Sequence, residues 1–264
     1  MRADSTARFA NIVSRSDDGQ LEKSEVETEV GIILPPVDPP AIFCIGLNYL
    51  DHAKEVNKEP PSRPVVFLKA TSCAIGHMNH ITIPEVCQTP PEVDYEAELA
   101  VVIGRAALNV SREDAMDHVL GYTCANDVTA RRWQGKKGGG QWARGKSFDS
   151  FAPLGPWVVP RAYVPDPHAL RIRTILNGKV VQDGHTKNMH FTIPEIIEFL
   201  SQGTTLLPGT VILTGTPAGV GYTKDPPLFL KAGDMVEVEI EGVGKLSNPV
   251  VEARGPLTVG GPSL

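Results

Sequence analysis

One short stretch constrains this chain more than any other: Asp94-Tyr-Glu96-Ala-Glu98, running straight into Leu99-Ala-Val-Val-Ile103 and stopping at Gly104. An apolar, β-branched run closed by glycine reads as a strand, and alternate residues of a strand share a face. The pattern predicts Asp94, Glu96 and Glu98 side by side, on a strand whose continuation is core. Like charges beside a buried run are costly unless a cation neutralises them or water reaches them. The segment is therefore either a seat for a hard, oxygen-seeking cation such as Mg²⁺, Mn²⁺ or Ca²⁺, or the exposed acidic face of an edge strand. Asp127, in the extended Thr123-Cys-Ala-Asn-Asp-Val-Thr-Ala130, offers a further carboxylate, although an Asp there equally caps a turn.

Strands dominate the rest of the pattern. Residues 41–49, 64–70, 80–84 and 93–104 read as extended; 170–182 alternates around the hairpin signal Asn177-Gly178; 210–221 is an apolar strand entering a glycine-rich turn; 234–250 closes as a strand pair around Gly242 and Gly244. Helical signals are few. They are a short turn after Tyr49, a helix over 111–122 capped by Ser111 with Asp114 three residues on, and a helix over 191–203 ended by Gly203. Residues 131–150, rich in Gly, Lys and Trp, read as loop. The expected fold is a β-rich α+β one with a rolled or barrel-like mixed sheet. The prolines of 35–40 mark a boundary between an arm (1–39) and one catalytic domain (40–264).

The composition narrows the partners. A net charge of −6 argues against nucleic acid, and no run of 18 apolar residues suits a membrane span. Four scattered cysteines without a C-x-x-C pair read as reduced thiols of an intracellular protein. The expected location is cytoplasmic, with a mitochondrial one left open by Arg2, Arg8 and Arg15 opposed only by Asp4.

Further residues carry chemistry. His52 and Glu55, one helical turn apart, suit a base oriented by a carboxylate, or equally a solvated histidine with an acidic neighbour. Lys146 ends Gly140-Gln-Trp-Ala-Arg-Gly-Lys146-Ser147, which matches a phosphate-loop pattern letter for letter. The strand that must precede such a loop and the helix that must follow are both missing, so nucleotide binding is discounted. A cation beside a developing enolate or carboxylate is the better use of this lysine, and a solvated basic loop is the plain alternative. Gly215 and Thr216, in Thr214-Gly-Thr-Pro-Ala-Gly219, bring backbone N–H groups where a ligand can approach closely, or simply make a tight turn.

Taken together, GLNYLDHAKE (46–55), VDYEAELAVVIG (93–104), ANDVTARRWQ (125–134), ARGKSFDSFAPLGP (143–156), LNGKVVQDG (176–184) and LTGTPAGVG (213–221) resemble the fumarylacetoacetate hydrolase family over about residues 40–252, nearest to its branch acting on 2-oxo acids. The resemblance implies metal ligands at Glu96, Glu98 and Asp127. It implies a base at His52 with Glu55 beside it, an active-site lysine at Lys146, and substrate contacts at Gln134 and Thr216 with Arg131 and Gly215 close by. It implies a Mg²⁺-dependent enzyme for small 2-oxo acids, either cleaving C–C bonds of acylpyruvates or decarboxylating, with oxaloacetate tautomerisation over the same site as the alternative. A non-catalytic binding protein of the same fold is the alternative of another class. A homodimer with a mixed β-roll is implied as well. Arg132, where relatives often carry an acidic residue, and the glycine-rich 135–141 set this chain apart beside Gln134 and Lys146.

Overall fold

In a computed structural model the described residues are 33–253, with the backbone of an antiparallel pair, Ile12–Arg15 and Leu21–Ser24. Most of the arm expected over 1–39, with Arg2 and Arg8, lies outside them. The chain divides into two units, Met1–Ile33 and Leu34–Leu264, and the second carries both large sheets and the helices.

The apolar runs form β1 (Ile42–Gly46), β2 (Val65–Lys69), β3 (Ala97–Ile103), β4 (Val119–Asn126), β5 (Ala152–Pro160), β6 (Arg171–Leu176), β7 (Lys179–His185), β8 (Val211–Leu213), β9 (Met235–Ile240) and β10 (Gly244–Glu252). The helices are α1 (Leu50–Glu55), α2 (Arg131–Gln134), α3 (Trp142–Lys146) and α4 (Ile193–Ser201). One mixed sheet runs β2-β1-β8-β3-β4-β5 and ends on Ala74–Ile75. A second runs β7-β6-β9-β10 and ends on Ile81–Ile83. The result is the β-rich, curled sheet the sequence predicts. Among the described residues no helix is long and apolar enough to cross a membrane.

β3 is buried along its whole length because both of its faces are covered. Leu99, Val101 and Ile103 pack with Tyr122 of β4, with Ile172, Val238, Ile240 and Leu246 of the second sheet, and with Ile193, Ile196, Ile197 and Leu200 of α4. Ala100 and Val102 face the other way, onto Ile42, Cys44, Ala125, Leu154, Val211 and Leu213. Glu98, with the parity of Ala100, belongs to that second face, where the neighbours are small. α4 holds its place through the stripe of isoleucines and a closed N-terminus, where the Thr192 N–H and hydroxyl donate to Glu195 Oε2 at 2.8 and 2.7 Å. The β6–β7 hairpin turns at Asn177 (φ 51°) and Gly178 (φ 78°), both left-handed as that two-residue turn demands.

Three expectations are corrected. The helix over 111–122 is only a single 3-10 turn, Ala115–His118, and from Val119 the chain is β4. Ser111 Oγ does accept from the Asp114 N–H (3.3 Å), but pairing with β3 on one side and β5 on the other claims the residues beyond. The 131–150 stretch is not all loop, since α2 and α3 lie in it, pressed so closely that a Cβ on Gly145 would sit 2.6 Å from Gln134 N. Finally, 93–104 is not one strand. Val93–Asp94 pairs with Thr129–Ala130 and Ala97 with Asn126, leaving Tyr95-Glu96 opposite Asp127-Val128 in a shared interruption of the ladder.

Candidate active site

That interruption builds the acidic cluster. The Asp127 N–H donates to the Glu96 carbonyl (2.9 Å), and Asn126 Oδ1 accepts from the Glu96 N–H (3.0 Å), so the two acids are locked side by side at the ends of β3 and β4. Glu98, the second residue of β3, completes the group. Carboxylate oxygens of Glu96, Glu98 and Asp127 lie within 4.8 Å of one another, and all three residues are buried. Asp94 stands apart from them. Its carboxylate accepts from the N–H groups of Tyr95 and Gly221 (both 2.8 Å) and Tyr222 (3.0 Å), and it takes Arg131 Nε at 2.8 Å. Its part is to aim Arg131, whose Nη1 reaches Glu96 Oε1 at 2.7 Å and Gln134 Oε1 at 3.1 Å.

Cations surround the cluster unevenly. Lys146 Nζ bridges Glu96 Oε2 (2.8 Å) and Asp127 Oδ2 (2.5 Å). Lys69 Nζ holds Asp127 Oδ1 (2.6 Å) and the Val128 carbonyl (3.2 Å). Burial opposes the charge on Glu96, yet the Lys146 ammonium and the Arg131 guanidinium outweigh it and bring the carboxyl down to about 2. Burial raises the Glu98 carboxyl, the Asp127 and Glu96 charges raise it further, and Lys146 and the Gly215 N–H do not restore it. Among the described residues Glu98 is the acid left without a cation of its own, and only the Gly215 N–H meets it, at 2.6 Å on Oε2. Three buried carboxylates in reach of one point, with one of them uncompensated, form a donor set that fits a hard divalent cation. The cluster can hold a metal ion.

His52 reaches the same cleft from α1. Its Nδ1 meets Glu55 Oε2 at 2.8 Å, and Glu55 Oε1 accepts from the Gly219 N–H (2.8 Å) and the Thr223 hydroxyl (2.7 Å). Half-burial raises the Glu55 carboxyl, but its bonds to His52, Thr223 and Gly219 prevail and hold it below the ordinary carboxylate range. An ionised Glu55 fixes a proton on Nδ1 and leaves Nε2 as the free acceptor. Among the described residues no protein group occupies Nε2.

The cleft measures about 330 Å³. Its lining includes His52, Glu96, Glu98, Asp127, Lys146 and, from the opposing segments, Arg131, Gln134 and Thr216. Of the residues singled out from sequence, Glu55 and Gly215 stand behind this wall, the first on His52 and the second on Glu98. Gly215 can present its N–H to Glu98 because its φ is +98° and a Cβ there would lie 2.8 Å from Asn48 Cβ. Sequence reasoning missed Lys69, Lys58, Lys136, Trp142 and Tyr222. Lys69 ends an apolar strand with no local signal, and Tyr222 lies under the Arg131 guanidinium, 4.3 Å from its ring centroid. Arg132 turns away from the cleft to Glu92 (2.7 Å) and the Val86 carbonyl (3.1 Å). Lys146, buried among carboxylates in the last turn of α3, has no phosphate-loop setting. Two other histidines serve local structure: His168 Nε2 accepts from the Ile193 N–H at the head of α4, and His77 Nδ1 from that of Ser247 (both 3.0 Å).

Comparison with known proteins places the fold among relatives. The family model described as fumarylacetoacetate (FAA) hydrolase, C-terminal, matches residues 41–251. The mitochondrial oxaloacetate tautomerase fahd2 of Xenopus laevis is 50% identical over 224 residues, covering 85% of this chain and 69% of that protein. The structure of 2-hydroxyhepta-2,4-diene-1,7-dioate isomerase from Mycobacterium marinum is 38% identical with a TM-score of 0.74, over 93% of this chain and 88% of that one. The fumarylacetoacetate hydrolase of Exiguobacterium antarcticum is 39% identical with a TM-score of 0.78, over 88% and 82%.

Proposed function

The chain belongs to the fumarylacetoacetate hydrolase family and is an enzyme, and on that premise we propose that it interconverts the keto and enol forms of a small 2-oxo acid, oxaloacetate first among candidates. The observation that carries this reading is an oriented histidine sharing one cleft with a buried carboxylate trio, in a wall that, among the described residues, holds no serine or cysteine to serve as a covalent nucleophile. Tautomerisation needs only a proton moved between carbon and oxygen, and such a set suffices for that. The name of the Xenopus relative favours the same reaction over the C–C hydrolysis or decarboxylation that a sequence reading ranks first.

Glu96, Glu98 and Asp127 would hold a divalent cation, Mg²⁺ by preference with Mn²⁺ or Ca²⁺ as substitutes, which supplies Lewis acidity toward the 2-oxo and carboxylate oxygens. The chain's own groups do the rest. His52 Nε2 takes the proton from C3 and returns one at oxygen, while Glu55 keeps Nδ1 protonated and steadies the imidazolium between the two events. Lys146 lends positive charge to the oxygen on which negative charge grows. Arg131, held by Asp94, and Gln134 orient the 1-carboxylate, with Thr216 beside them. Gly215 works through Glu98.

Two attributes accompany the reading. The outward Val66 and Leu68 of edge strand β2, each over a third exposed, suit a homodimer, which sedimentation tests. The mitochondrial relatives favour that compartment over the cytoplasm, which fractionation tests. The reaction itself is tested by following oxaloacetate and acylpyruvates by proton NMR with Mg²⁺. Accelerated keto–enol exchange without loss of carbon supports the tautomerase reading. Pyruvate plus CO₂, or pyruvate plus a free acid, would replace it with decarboxylation or hydrolysis.

A further inference from the structure

The cleft has an acidic floor, and two lysines line it without an acid to answer them. Lys58, just beyond α1, and Lys136, in the turn after α2, both border the cleft that holds Glu96, Glu98 and Asp127. Both are exposed, and neither forms an ion pair among the described residues. Unpaired cations on the surface of an acidic chain are ordinary. Two of them from separate segments, lining one cleft of about 330 Å³, are a charge arrangement with a direction.

Their placement is built. Lys58 Nζ lies 5.9 Å from the centroid of the Trp142 ring. Trp142 meets Phe67 edge-on at 5.5 Å, and Phe67 in turn carries Lys146 Nζ at 5.0 Å, so an aromatic path leads from the carboxylates to Lys58. Trp142 lies so close over Gly46 that any Cβ there would overlap the indole, which fixes the platform. Lys136 follows Gly135 and precedes Gly138, Gly139 and Gly140, a backbone able to bring its side chain toward the cleft.

We propose that Lys58 and Lys136 receive the distal carboxylate of the substrate, so that the enzyme selects 2-oxo dicarboxylates over 2-oxo acids with neutral tails. This rests on the tautomerase reading of the floor, where the 2-oxo acid end binds. The dimensions agree. A cavity of this volume spans about 9 Å, which a four-carbon diacid, with about 4 Å between its carboxyl carbons, bridges once a cation contact and a hydrogen bond are added at its ends. The charges agree as well: Glu96, Glu98, Asp127 and, behind Arg131, Asp94 face Lys69, Lys146 and Arg131, one positive charge short; a divalent cation would turn that deficit into a single positive charge for the 1-carboxylate, which leaves the two rim lysines for a second anionic group.

The test uses the full chain with Mg²⁺, the double variant Lys58→Gln/Lys136→Gln, and two probes that differ only at the far end, oxaloacetate and its 4-methyl ester. Calorimetric affinity and kcat/KM are measured for both. The wild-type protein is expected to prefer the diacid, and the diacid-to-ester ratio to fall about tenfold in the variant, with a weaker salt dependence of diacid binding. A ratio that does not move, an equal loss on both probes, or a wild-type protein without preference overturns the proposal. The two readings fail separately. If the diacid binds with this selectivity but is not tautomerised, the reaction falls and the clamp stands. If it is tautomerised while the ratio stays fixed, the clamp falls and the reaction stands.

Discussion

Glu98→Gln should stabilise the metal-free protein while removing its response to metal. The Glu98 carboxylate lies within 4.8 Å of oxygens of both Glu96 and Asp127. At an effective dielectric near 20, like charges at that separation repel by roughly 3–4 kcal/mol per pair. Lys146, bonded to both neighbours, and the Gly215 N–H offset most of this, leaving a net cost of about 1–3 kcal/mol in the metal-free fold. A glutamine keeps an oxygen for Gly215 and carries no charge, so it recovers that amount. The sign with pH follows from the raised carboxyl, whose causes are burial and then the Asp127 and Glu96 charges. A carboxyl raised in the folded state penalises folding as pH climbs above its unfolded value of about 4.3, so the gap between variant and wild type should widen from pH 5 to pH 8. Urea unfolding in EDTA at both pH values measures the gap. Repetition with excess Mg²⁺ should stabilise the wild type by mass action and the variant little. A variant less stable than wild type in EDTA at pH 8 would overturn this prediction, because Glu98 would then be compensated without a metal.

His52→Gln should lower kcat by roughly 10²–10⁴ and leave Mn²⁺ affinity within twofold, as read by steady-state kinetics beside calorimetry. Gly145→Ala forces a Cβ to within 2.6 Å of Gln134 N and 2.9 Å of Gln134 Cα; α2 and α3 must part, costing about 1–3 kcal/mol, so the melting temperature and kcat should drop together. Asp234 accepts from the Lys231 N–H (3.0 Å), Lys231 Nζ (2.7 Å) and Asn177 Nδ2 (2.9 Å), and these bonds outweigh burial and lower its carboxyl. A lowered carboxyl stabilises the fold above its unfolded pKa and ceases to do so as pH falls through the folded one. Asp234→Asn should therefore cost about 1 kcal/mol at pH 7, with the difference closing below about pH 4 in chemical unfolding.

What could be read from sequence was whatever is encoded locally. Asn177-Gly178 states its turn in two residues, and the run 191–203 ended by Gly203, itself left-handed at φ 66°, states α4. Glu96, Glu98 and Asp127 were legible as oxygen donors, but not by the expected route. Regular alternation would have brought Asp94 into the group. The break in the ladder at Tyr95-Glu96 turned Asp94 to Arg131 and set Glu96 beside Asp127. The false helix over 111–122 failed for the converse reason: a fair local cap was outvoted by two neighbouring strands. Lys69 was invisible because its partner is 58 positions away and nothing around it distinguishes it from any strand-ending lysine.

The proposed chemistry turns on the trio of carboxylates holding a divalent cation without which the proton transfer fails. Titration of the EDTA-stripped protein with Mn²⁺, reading bound ion and oxaloacetate keto–enol exchange in the same samples, probes both halves of that statement together. One ion should bind per chain, with exchange rising in proportion to occupancy, and neither should be seen in Glu96→Gln or Asp127→Asn. Full exchange by the stripped protein, or stoichiometric binding that survives both substitutions, would contradict it.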